Sequence, residues 1–148
     1  MTSADLPACD AIVSALPFFQ AWGLTGADAS RALEQALVDE RADLSVAVVQ
    51  GEVAGFAWVI ERGGFDRSAY LRLIAVSADA QGGGVGRALM DDIERRILAG
   101  SDLVLLVTES NTAARGFYER LGYTQVGCMP DYVQVGVNEC IYFKPRRR

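Results

Sequence analysis

The chain has 148 residues, short enough for a single domain and long enough for one substantial core. Apolar residues make up 51% and charged residues 22%, a globular rather than a disordered composition, and no apolar run approaches the roughly 20 residues that span a bilayer. The net charge is −5 and the histidine count is zero, which removes Ser-His-Asp and Cys-His nucleophiles and histidine metal sites, and argues against a nucleic-acid partner.

Without histidine, acid–base work at neutral pH falls to Asp, Glu, Tyr, Cys, Lys, water or the substrate itself. The stretch Met1-Thr-Ser-Ala-Asp-Leu-Pro7 has no basic segment and does not read as a secretory signal, so a cytoplasmic protein with no membrane partner is the default expectation. Cys9, Cys128 and Cys140 form no CxxC pair. They are expected to be buried free thiols, with no metal site. The basic tail, Lys144-Pro-Arg146-Arg147-Arg148, reads as a solvated terminus. The acidic balance of the whole fits a cationic substrate.

Leu6, Cys9, Ile12, Val13 and Leu16 have helical spacing, and Pro17 is expected to stop that helix. Ala29, Leu33, Ala36 and Leu37 mark a second helix, with Thr25 able to cap it and Asp28 in capping-box position. Residues 44–50 and 53–62 read as strands of an antiparallel hairpin, joined through Gln50-Gly51-Glu52, with Gly63-Gly64 ending the second. Residues 70–76 form a third strand. The next helix, over 84–99, places Val85, Leu89, Ile93 and Ile97 on one face, and Gly100 terminates it. Leu103-Val-Leu-Leu-Val107 is continuously apolar, as in a strand covered on both faces. Strand 70–76, the helix and strand 102–108 make a βαβ unit with parallel strands. A helix over 111–121 ends at Gly122, and 123–129 and 138–144 read as two final antiparallel strands. The result is an α/β (α+β) fold: a mixed, mostly antiparallel sheet with helices on its faces.

Between strand 70–76 and the following helix lie Gly82, Gly83, Gly84 and Gly86, four glycines within five residues. Strand, glycine loop and helix together aim backbone N–H groups and a helix N-terminus at an anion, which points to a phosphate-bearing cofactor. No Lys-Ser or Lys-Thr follows, so this is not a P-loop. The dinucleotide fingerprint fails too, because its last glycine would fall on Arg87 or Leu89. What remains is Gln81-x-x-Gly84-x-Gly86.

On these residues the chain resembles the GNAT family of N-acetyltransferases, whose signature Gln/Arg-x-x-Gly-x-Gly/Ala joins the family's fourth strand to its third helix. Asn111-Thr-Ala-Ala-Arg-Gly-Phe-Tyr118-Glu-Arg-Leu-Gly-Tyr123 is similar to the second family signature, Asn-x-x-Ala-x-x-x-Tyr-x-x-x-Gly-Phe, with Tyr123 in place of Phe. The resemblance covers residues 5–144 in element order, although the family's first strand is short or missing. It implies a single acetyl-CoA-binding domain over 1–148 whose central parallel strands splay apart.

The resemblance also implies roles. Acetyl-CoA is the co-substrate, its pyrophosphate lying on the amides of Gly82, Gly83, Gly84, Val85, Gly86 and Arg87 after Gln81. Its pantetheine arm would pair like a short strand with Ile74, Ala75 and Val76. Asn111 suits a helix N-cap by its type, and the family adds a contact to the cofactor arm. Tyr118 would protonate the leaving thiolate; a core aromatic beside Phe117 is the plainer alternative. A neutral amine would attack the thioester directly, with a backbone N–H near Ile74 facing the oxyanion.

The general base is where the pattern departs from the family. Arg72 is the only charge in strand 70–76, and 103–107 has none. Glu109, Asp66 and Glu61 are candidates, each also readable as a solvated surface charge; water-relayed deprotonation or a substrate amine of low pKa are the alternatives, and the sequence singles out no one base. Phe18, Phe19 and Trp22 are core aromatics or part of an acceptor pocket. Asp131, Tyr132 and Glu139 could meet an ammonium. The expected function is acetyl transfer to a small primary amine or amino-acid-like cation. The alternatives are a protein N-terminal or lysine acetyltransferase and a non-catalytic acyl-CoA-binding sensor. A toxin acting on aminoacyl-tRNA is disfavoured by the acidic charge. Many relatives dimerise, and a homodimer is among the implied partners, with no residue here marking an interface.

Overall fold

A computed structural model describes residues 1–21 and 26–147. Thr2 and Asp5 form a capping box ahead of α1 (Leu6–Ala15), which buries Leu6, Cys9, Ile12 and Val13 at the spacing seen in the sequence. Pro17 does end this helix, but it also opens the short α2 (Pro17–Ala21), as proline's fixed φ and missing N–H suit a first helical position. α3 (Gly26–Ala36) follows. Trp22 and the Thr25 cap lie outside the described residues.

The strands are β1 (Ala42–Val49), β2 (Glu52–Gly64), β3 (Ser68–Val76), β4 (Leu103–Thr108), β5 (Thr124–Gln134) and β6 (Val137–Lys144). α4 (Val85–Ile97) links β3 to β4, and α5 (Thr112–Arg120) links β4 to β5. The sheet order is β1-β2-β3-β4-β6-β5, and only β3 and β4 pair in parallel. This is the expected mixed sheet, and among the described residues no strand precedes α1. β5 runs on to Gln134, beyond the expected end at Met129: pairing to β6 is irregular after Met129↔Glu139 and resumes at Gln134↔Val137.

Each face of the sheet carries its own core. Val85, Leu89, Met90 and Ile93 of α4 and Tyr118 and Leu121 of α5 pack on one face, against Leu71, Leu103 and Leu105. Leu6, Cys9 and Val13 of α1 and Leu33 of α3 pack on the other, against Phe56 and Ala75. Side chains this fully buried stabilise by about 1.5–3 kcal/mol each. No helix among the described residues is long and apolar enough to cross a membrane.

β3 is irregular at Arg72. Along the β2–β3 ladder Trp58 faces Leu73 and Val59 faces Leu71, so Arg72 is an extra residue in β3, a β-bulge. Side chains alternate along a strand, and the added residue shifts the phase. Ala69 and Leu71 point to the α4 face before the bulge, and Ile74 and Val76 point there after it.

The cysteine expectation is corrected at two of three positions. Cys128 and Cys140 stand directly opposite each other in the β5–β6 register and are joined by a disulfide. A separation of 12 residues carries no trace of hairpin register, so the sequence could not reveal the pairing. Cys9 is a buried free thiol, its pKa pushed up to about 11 chiefly by burial, with Asp5 adding to the effect.

Candidate active site

β3 and β4 pair only at Ala69↔Leu103, Tyr70↔Val104 and Leu71↔Leu105. Beyond the bulge at Arg72, β3 stays bonded to β2 as far as Gly55↔Val76, while β4 stays bonded to β6 as far as Thr108↔Glu139. Each strand keeps its outer neighbour, so the edge between them opens. The β4-facing backbone of Leu73–Val76 therefore has no ladder partner, although peptide groups taken from water need one. The opening holds a cavity of about 600 Å³, walled by Tyr70–Val76 of β3 and Leu105–Thr108 of β4.

Gln81 lines one end of this cavity, its Nε2 donating to the Val76 carbonyl at 3.4 Å. From there the glycine loop leads away to α4. Gly84, at φ 84°, is the helix N-cap, and Gly82 has φ 77°. A glycine cap supplies no side-chain oxygen, and the first helical bond runs from Ala88 N–H to the Gly84 carbonyl. The amides of Val85, Gly86 and Arg87 lie before that bond and have no acceptor within the helix. No acidic residue sits in this first turn, and nothing lies within 4 Å of where a Cβ on Gly82 or Gly84 would stand. Free donors, a positive dipole end and an open approach fit the phosphate arm of acetyl-CoA. Arg87 would contribute only its amide, because its side chain pairs with Asp91 at 3.3 Å; the Val85 side chain is buried in the core.

Asn111 caps α5, its Oδ1 accepting from Ala114 N–H at 3.1 Å, and it lines the cavity as well. Two turns along the same helix, Tyr118 also reaches the cavity. Its ring is packed between Phe117 at 5.1 Å and Tyr123 at 5.6 Å. Burial pushes its phenol far above the usual tyrosine range, so it holds its proton at every physiological pH. Its hydroxyl makes no hydrogen bond among the described residues.

Three more groups stand at or beside the cavity. Phe18 and Phe19 meet edge to face at 5.6 Å after α1. Arg72 stands 5.9 Å over the Trp58 ring. Glu139 lies where β4 ends, 5% exposed, accepting a 2.8 Å hydrogen bond from Thr108 Oγ1. Burial raises its carboxyl pKa, and the Thr108 bond opposes that rise. Tyr70 is pushed up by burial first, with Tyr132 and Glu139 acting in the same direction and Arg72 against.

The sequence candidates thus divide. Ile74, Ala75, Val76, Gln81, Asn111, Tyr118, Phe18, Phe19 and Glu139 meet at one cavity. The three base candidates do not: Glu109 accepts from Asn138 Nδ2 at 2.8 Å, Asp66 pairs with Arg62 at 3.5 Å, and Glu61 is exposed on β2. Asp131 is spent on the hairpin turn, accepting from Gly136 N–H at 2.6 Å, and Tyr132 is exposed on β5. Tyr70, Thr108 and Val133 line the cavity without having been singled out. For Thr108 one signal existed, as the polar end of an otherwise apolar strand.

The model of the acetyltransferase (GNAT) domain family matches residues 11–138. A mycothiol acetyltransferase of Salinispora tropica is 34% identical over 113 residues, 73% of this chain and 37% of that protein. The chain therefore spans little more than a third of that curated relative's length. Among solved structures, a GNAT-family protein from Desulfovibrio desulfuricans superposes with a TM-score of 0.83 at 21% identity, covering 97% of this chain and 94% of its own. The ribosomal-protein-S18-alanine N-acetyltransferase of Escherichia coli superposes with a TM-score of 0.79 at 26% identity, covering 100% of this chain and 92% of its own.

Proposed function

The chain belongs to the GNAT acetyltransferase family, and from that premise we propose that it moves an acetyl group from acetyl-CoA to a small primary amine or amino-acid-like cation. One observation carries the reading: the unpaired edge of β3, the start of the glycine loop and the Tyr118 hydroxyl-bearing face of α5 converge on one cavity. Bound there, acetyl-CoA supplies an activated acyl carbon and a thiolate leaving group. The amides of Gly82, Gly84, Val85, Gly86 and Arg87 hold its phosphates, the Gly83 N–H already donating to the Ala80 carbonyl at 3.2 Å, and the open edge of Ile74–Val76 orients its arm. A backbone N–H of that edge stabilises the developing oxyanion. Tyr118, neutral at working pH, gives its proton to the departing sulfur.

Phe18 and Phe19 supply apolar contact for the body of the acceptor, and Arg72 a positive charge for an acidic group upon it. The relative named as a mycothiol acetyltransferase supports a small-molecule acceptor. The likeness to the S18-alanine enzyme favours a second reading, a protein N-terminal amine. A cytoplasmic location belongs to the same proposal.

The test is a calorimetric titration with acetyl-CoA, followed by a panel of amines, amino acids and alanine-started peptides scored by thiol release. Saturable binding near one per chain with turnover of small amines is expected. Turnover of peptides alone selects the second reading, and the absence of binding at millimolar acetyl-CoA overturns both.

A further inference from the structure

We propose that Glu139 is the general base that takes the proton from the acceptor's ammonium group. The inference rests on the acetyl-transfer reading and supplies the member that the sequence could not. β3 and β4, which wall the cleft, bring Arg72 as their only charge. Among the described residues lining the cavity, Glu139 is the only carboxylate. It comes from β6, the strand beside β4, and reaches the opening because Thr108↔Glu139 is the last pair of that ladder.

Its surroundings set it apart from an ordinary structural carboxylate. The other buried acid, Glu94, is neutralised by Lys144 at 2.6 Å. Glu139 makes no ion pair among the described residues: Arg72 lines the same cavity but stands over the Trp58 ring, and Glu139 accepts only from the Thr108 hydroxyl at 2.8 Å. A buried carboxylate without a counter-ion is costly, and a cationic substrate entering the cavity would relieve that cost. Burial also makes the carboxylate more basic than an exposed one, which suits a group that must accept a proton.

Glu139 takes one proton from the acceptor's R–NH3+, leaving a neutral amine. As the C–N bond forms and the C–S bond breaks, Tyr118 passes its proton to the sulfur. The new amide nitrogen sheds its surplus proton to the Tyr118 oxygen, and Glu139 releases its own to water. The sum is ammonium plus thioester giving amide, thiol and one proton.

The test is kcat and kcat/KM against pH for the wild type, Glu139→Gln and Thr108→Val. Lining the cavity with Glu139 are Tyr70 and Arg72 from β3, Thr108 from β4 and Tyr118 from α5, and Tyr132 of β5 acts on Tyr70 together with Glu139. Glu139 is the only carboxylate among the described residues of the cavity, so the acidic limb is read as its titration. Glu139→Gln should lower kcat by roughly 10²–10³-fold, leave acetyl-CoA binding intact, and recover as pH approaches the amine's own pKa. Thr108→Val removes the bond that lowers the carboxyl pKa, so the acidic limb should move to higher pH. Turnover of Glu139→Gln within about threefold of wild type, well below the usual contribution of a general base, would overturn the proposal. If Glu139→Gln fails to fold or to bind acetyl-CoA, an unmoved limb in Thr108→Val overturns it instead. A wild type that binds acetyl-CoA yet turns over no amine defeats the function and the base together, whereas an active wild type matched by Glu139→Gln defeats the base alone.

Discussion

The Lys144 ammonium lies 2.6 Å from the Glu94 carboxylate and 2.5 Å from the Leu121 carbonyl, so one side chain ties the end of β6 to α4 and to the end of α5. It also sits 5.2 Å over the Tyr123 ring. Glu94 is 6% exposed, so removing its partner strands a buried charge. Lys144→Met should cost roughly 2–4 kcal/mol, while Lys144→Met with Glu94→Leu should recover much of that loss, because an apolar pair leaves no charge behind. Urea midpoints at unchanged slope would measure both.

Tyr118→Phe separates catalysis from packing. The hydroxyl has no hydrogen-bond partner among the described residues, so its removal should leave the melting temperature unchanged or slightly raised. Acetyl-CoA binding should persist. Turnover should fall by about 10²-fold or more if the phenol is the acid. A Phe variant with wild-type turnover would make Tyr118 a core aromatic only.

Gly84→Ala tests the anion end. Nothing within 4 Å obstructs a methyl group there, but φ of 84° does. The substitution should destabilise by about 1–2 kcal/mol through backbone strain alone. It should also weaken acetyl-CoA binding in calorimetry, since the strained loop re-aims the amides of Val85–Arg87. Unchanged affinity would relegate the loop to a turn.

Alkaline stability follows from the buried phenols. Tyr70, Tyr118 and Tyr123 all have pKa values raised above the ordinary tyrosine value, in each case chiefly by burial. The folded chain keeps protons that the unfolded chain releases, so unfolding sheds protons and high pH favours it. Stability from these groups should be fully present below about pH 10 and fall as pH rises beyond it. Denaturant midpoints across that range, read alongside tyrosinate absorbance, would show the decline.

The thiols provide a chemical count. With Cys128 and Cys140 joined and Cys9 free, protein unfolded without reductant should show one reactive thiol per chain, and three after reduction. In the proposed reducing compartment the pair would be held as two thiols, so the freshly isolated and the air-exposed protein should differ in this count.

The sequence made local structure plain wherever local rules decide it. The period of Val85, Leu89 and Ile93, the apolar run of Leu103–Val107 and the glycine loop each needed only neighbouring residues, and the βαβ unit followed. Features set by register were hidden. Glu139 stood out as an acid able to meet an ammonium, but its place beside Thr108 depends on how β6 slides against β4. Cys128 and Cys140 meet for the same reason. Glu109, which follows β4 directly in sequence, was the more obvious base, and it bonds Asn138 outside the cavity.

The extra residue at Arg72 gives the cleft an unusual kind of fragility. Its side chain is exposed, so the fold should accept other side chains there, with only the acceptor contact at stake, yet its presence is a matter of reading frame. Deleting it would turn Leu73–Val76 over, sending Ile74 and Val76 toward α1 and Leu73 and Ala75 toward α4. Tolerance of the fold at this position should therefore be broad for exchange and nil for loss: the shape of the pocket is written in the number of residues rather than in their kind.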